Sequence, residues 1–115
     1  MLTLLPGGRI LVAIELVDGR KGIDSLASVV RSVLLGDPLS GDLSVFKNLR
    51  GDKLKVLAWM GDGFALYLRR LERGTFAFPT ARDASVLVTP TQLAMILGGL
   101  DPVKARERPR YKTPA

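Results

Sequence analysis

The sequence contains no cysteine and no histidine. Without cysteine there is no disulfide, no thiolate metal site and no thiol nucleophile. Without histidine there is no imidazole acid or base, and a Ser-His-Asp mechanism is excluded. A metal would have to be an oxygen-loving ion held by carboxylates. Aromatic residues are scarce, and Trp59 is the single tryptophan. No apolar run approaches the roughly 18 residues that cross a bilayer, so no membrane association is expected. The stretch MLTLLPGGRI has no basic leader region and is broken by Pro6-Gly7-Gly8. No signal peptide is expected, and the expected location is cytoplasmic.

What is present suits one globular domain: 115 residues, 47% apolar and 24% charged. Net charge is +6, unevenly spread. From Lys104 onward, five basic residues stand against Glu107 alone, among Pro109 and Pro114. Residues 1–103 are expected to form a single α+β domain, and 104–115 a disordered basic tail. Such a tail adds a salt-sensitive attraction to nucleic acid, or is simply a solvated terminus.

The chain is organised around residues 43–79, which read as an antiparallel meander. Leu43 to Asn48, Lys53 to Met60 and Phe64 to Glu72 are the expected strands. Leu49 to Asp52 and Gly61-Asp62-Gly63 are the turns, and Thr75 to Phe78 is a possible fourth strand before Pro79. Pairing Asn48 with Lys53 sets Val45 opposite Val56. Pairing Met60 with Phe64 sets Ala58 opposite Leu66 and Val56 opposite Leu68. One face then carries Val45, Leu54, Val56, Ala58, Leu66 and Leu68 as a core. The other carries Phe46, Trp59 and Tyr67 among Lys53, Lys55 and Arg69. Flat rings among cations are what single-strand nucleic-acid platforms use. The alternative is a second packed layer or a plain soluble surface. A register slip of one residue would exchange the faces.

Around the meander, Arg9 to Leu16 reads as a buried strand whose neighbour is left open. Asp18 is the expected cap of a long helix, with apolar residues at Ile23, Leu26, Ala27, Val30, Val33 and Leu34, ended by Gly36. Arg20 and Lys21 fall in its first turn, where they either grip an anion or are neutralised by Asp18 and Asp24. Thr89, Pro90 and Gln92 have the spacing of a capping box that opens a short C-terminal helix. The fold expected is α+β: a mostly antiparallel sheet, one long helix on its core face and a short C-terminal helix. The acids are scattered in turns and caps. Asp18, Asp24 and Asp62 are those a two-metal nuclease would have to gather, and no spacing demands it. No catalytic residue, no metal and no cofactor is expected.

Five blocks in order carry a family pattern: Asp18-Gly19-Arg20-Lys21-Gly22-Ile23-Asp24, Asp37-Pro38-Leu39-Ser40-Gly41, Val45-Phe46-Lys47-Asn48 with Asp52-Lys53-Leu54-Lys55, Gly61-Asp62-Gly63-Phe64, and Arg69-Arg70-Leu71-Glu72-Arg73-Gly74. They resemble the accessory protein TnpB, the second open reading frame of the insertion sequence 66 family, over about residues 3–100. The resemblance implies a bacterial mobile-element protein that assists transposition beside a separate DDE-type transposase. It departs from the family at Gly19, Ser25, Ser44, Leu49 and Met60. The expected function is a non-catalytic transposition factor that binds nucleic acid through its basic and aromatic sheet face, with DNA and the transposase of the same element as the expected partners. Phe46, Trp59 and Tyr67 would stack on bases; Arg20, Lys21, Lys53, Lys55, Arg69 and Arg70 would meet phosphates. The alternative is an adaptor for the transposase, with the aromatic patch as the interface.

Overall fold

The computed structural model describes residues 8–100. The tail expected over 104–115, and all but the last residue of the lead-in at 1–8, lie outside the described residues. The strands are β1 (Ile10–Ala13), β2 (Leu43–Lys47), β3 (Lys53–Trp59), β4 (Phe64–Arg70) and β5 (Ser85–Val88). The helices are α1 (Ile23–Ser32) and α2 (Pro90–Leu97). One sheet contains all five strands in the order β4-β3-β2-β1-β5.

This corrects the expected fold in three respects, though α+β holds broadly. The sheet is mixed. Between β1 and β2 the chain crosses over through α1, so the two strands run parallel, Val12 beside Val45. The first helix is short, ten residues. Asp18 does not cap it: its carboxylate accepts the Arg20 N–H and its carbonyl accepts the Lys21 N–H, closing a turn. Helical geometry begins only after Gly22 and ends before Leu35, which takes a left-handed φ of 54° one residue ahead of Gly36.

The third correction is the face on which α1 lies. The β2–β3 register is as expected, with Val45 beside Val56. The β3–β4 hairpin is one residue longer at its tip than expected. Met60 donates to the Gly63 carbonyl, so Trp59 rather than Met60 faces Phe64. Every side chain of β4 therefore changes face. Leu26, Ala27 and Val30 of α1 pack on Phe46 and Leu57, with Phe64 and Leu66 beside them. The face expected to meet ligand is a second core layer.

The opposite face carries Ile10, Val12, Val45, Leu54, Val56 and Val88. It is covered by Phe76 and by Leu93 and Ile96 of α2. Residues 75–78 form no strand; they cross this face on the way from β4 at one edge to β5 at the other. Phe76 N–H donates to the Gly51 carbonyl. Gly51 holds φ at +80°, and a Cβ there would stand 3.2 Å from Thr75, so this close crossing requires glycine. The capping box of α2 forms as expected from Thr89 and Gln92.

Candidate nucleic-acid interface

The strand directions decide where the cations collect. The C-terminal ends of β2 and β4 and the N-terminal end of β3 share one end of the sheet. Leu71 N–H donates to the Asp52 carbonyl, which ties the segment after β4 to the same end. The 18–21 turn joins them, because Gly19 lies against Asn48 and Lys53. Eight of the twelve basic residues within 8–100 are thereby gathered: Arg20, Lys21, Lys47, Arg50, Lys53, Arg69, Arg70 and Arg73. Arg9, Arg31, Lys55 and Arg82 are the other four.

Some of these charges are already engaged. Arg20 pairs with Asp18 at 2.8 Å and Arg70 with Glu72 at 3.0 Å. The hydrogen bonds from Arg20 hold the Asp18 carboxyl far below its ordinary range, with Lys21 adding a smaller pull, and Asp18 in turn raises the Arg20 guanidinium. Lys47 Nζ donates to the Phe76 carbonyl and sits 4.8 Å from the centre of the Phe78 ring. Arg50, Lys53, Arg69 and Arg73 have no acidic or hydrogen-bonding partner for their side chains among the described residues. Arg69, Arg70 and Arg73 line an open depression of about 330 Å³ beside Leu97 and Gly98.

The residues expected from sequence divide accordingly. Arg20, Lys21, Lys53, Arg69 and Arg70 come together at the basic end. Arg70 points to the α1 side, not the other core face, and is exposed. Phe46 is 0% exposed beneath α1 and offers no ring to a base. Lys55 is also buried; its Nζ donates to the Lys21 carbonyl at 2.6 Å and ties the helix entry to the sheet. Trp59 is half-buried at the far end of β3, edge-on to Phe64 with ring centres 5.1 Å apart. Tyr67 is on the opposite face from Phe46 and Trp59. The aromatic platform is thus dispersed. Arg50 and Arg73, which the sequence reading did not assign, belong to the same end. A meander always brings its first turn beside the end of its third strand, and that signal was available.

Among the described residues, no group of three His, Cys, Asp or Glu could hold a metal ion. Asp62 lies in the β3–β4 turn, at the other end of the sheet from Asp18. Among the described residues, no helix is long and apolar enough to cross a membrane.

Residues 8–107 match the protein family described as IS66 Orf2-like protein. The chain belongs to that family. Two curated relatives come from Sinorhizobium fredii. The uncharacterized protein y4jC is 38% identical over 103 residues, covering 90% of this chain and 88% of the relative. The uncharacterized protein y4hO is 40% identical over 101 residues, covering 85% of this chain and 88% of the relative. No solved structure matches. Membership gives this IS66 Orf2-like protein an accessory role associated with transposition, in a family not known to be catalytic.

Proposed function

We propose that this IS66 Orf2-like protein is a non-catalytic transposition factor that holds DNA by its phosphates at the basic end of the sheet. The observation that carries the reading is the gathering of eight cations at one end, among them Arg50, Lys53, Arg69 and Arg73, whose side chains have no acidic or hydrogen-bonding partner among the described residues. Arg50, Lys53, Arg69 and Arg73 meet phosphates; Arg20 and Lys21 flank them. Contacts of this kind position nucleic acid without reading its sequence. Stacking on Phe46, Trp59 and Tyr67 has no part in it.

The test is the anisotropy of labelled duplex DNA with the full chain at about 50 and about 200 mM salt. Four phosphate contacts predict that log K falls against log salt with a slope of about −3 to −4. Arg69→Ala with Arg73→Ala should weaken binding to all sequences alike and reduce the slope by about 2. Binding that ignores both substitutions and disappears when Lys104, Arg106, Arg108, Arg110 and Lys112 are neutralised would assign the interaction to the tail. No binding at either salt would move the reading to an adaptor for the transposase.

A further inference from the structure

The two edges of the sheet are unequally guarded. β5 is four residues long, whereas β4 runs for seven, Phe64 to Arg70, with no strand of the described residues paired on its outer side. Protein edges are usually blunted by proline, lysine or a bulge. Phe64-Ala65-Leu66-Tyr67-Leu68 has none of these and no charge. Leu68 is 55% exposed.

The hydrogen bonds at the two ends of β4 fix which groups face outward. Gly63 and Leu71 bond inward, to Met60 and Asp52. Bonding alternates along an antiparallel ladder, so Ala65, Tyr67 and Arg69 also bond inward. Phe64, Leu66, Leu68 and Arg70 then turn their N–H and C=O groups outward along the edge, where no described strand meets them.

We infer that this edge pairs with β4 of a second copy, antiparallel and centred on Tyr67. That register is the one that satisfies every outward group. Phe64 bonds with Arg70 of the second copy and Leu66 with Leu68, and the reverse pairs follow by the two-fold axis. The side chains agree with it. Leu66 and Leu68 of both copies meet on the α1 face, extending the layer that already holds Leu66. Arg70 falls beside the Phe64 ring and Arg69 beside Ala65, so no cation meets a cation. A parallel pairing would set Arg69 and Arg70 against themselves. The result is one ten-stranded sheet with both copies of α1 on the same face.

The test needs the full chain and two substitutions. Sedimentation from low to high micromolar concentration should show the dimer. Leu68→Lys, at an exposed position, should leave the circular dichroism and melting temperature of the monomer in place and raise the dimer dissociation constant at least about tenfold. Tyr67→Cys should form a disulfide-linked dimer on mild oxidation, because opposed residues of a non-hydrogen-bonded pair lie within disulfide reach. Leu87→Cys, 58% exposed on the β5 edge, should not. The native chain has no thiol to confuse the result. A monomer at every concentration, a dimer that Leu68→Lys leaves intact, or equal cross-linking through Leu87→Cys would each overturn the pairing. So would a chain that stays monomeric alone and gives up its edge only to a transposase strand. If Leu68→Lys does not fold, the cysteine pair decides by itself.

Discussion

Asp42 shows how one side chain holds the parallel pair in place. Its carboxylate accepts the Arg9 N–H at 2.8 Å and pairs with the Arg9 guanidinium at 2.9 Å. Leu43 N–H closes the contact by donating to the Arg9 carbonyl. Burial alone would push the Asp42 carboxyl up, but the bonds from Arg9 and Ser40 outweigh it and hold the group below its ordinary value. A carboxylate depressed on folding stabilises the fold above its unfolded pKa of about 3.9 and loses that contribution as pH falls through the folded value. Asp42→Ala should therefore lower stability by about 1–3 kcal/mol at neutral pH. The gap from wild type should stay constant down to about pH 5 and close towards pH 3. Urea melts at several pH values measure this; a gap that widens on acidification would contradict the assignment.

At the scale of elements, Phe46 decides between two accounts of the same face. Under α1, Phe46→Ala leaves a cavity and should cost about 3–5 kcal/mol in a denaturant melt. DNA affinity per folded molecule should be unchanged; a stacking role would instead cost affinity with little loss of stability. Much around this residue was legible in sequence. The β2–β3 register followed from its turn, the stripe from Ile23 to Leu34 from its period, and the cap of α2 from Thr89, Pro90 and Gln92. The β3–β4 register was not legible, and the reason is physical. Both faces of β3 are covered, so Leu54, Val56 and Ala58 on one side and Leu57 on the other are apolar, and Phe64-Ala65-Leu66-Tyr67-Leu68 carries apolar or aromatic residues on both sides. Alternation then cannot choose between registers. Gly61-Asp62-Gly63 suits a three- or a four-residue tip alike. Asp18 misled for a similar reason: an aspartate that accepts the N–H two residues on serves a turn as readily as a helix cap. Of the cations, Arg20, Lys21, Lys53, Arg69 and Arg70 were legible as a set because they end strands or open a turn. Lys55 was not, since its burial depends on where α1 lands.

The described residues span 41 × 26 × 25 Å, and most of their basic side chains gather at one end of the sheet. Trp59 lies at the other. The seven residues of β3 separate it from Lys53 by about 20 Å at a strand's rise per residue. Pairing through β4 would set each Trp59 near the basic end of the second copy, because Phe64 then lies beside Arg70. The indole would still be packed edge-on to Phe64 and would not open to a base. DNA held by its phosphates should therefore raise the anisotropy of the labelled duplex while Trp59 emission keeps its intensity and wavelength. Base stacking would quench it strongly, as on single-strand platforms whose rings lie free. A titration that follows both signals in one cuvette separates the two. Quenching that saturates with the anisotropy would place bases on the indole and overturn the phosphate reading. Silent tryptophan with binding lost between about 50 and about 200 mM salt would support it, because phosphate contacts release counterions and stacked rings do not.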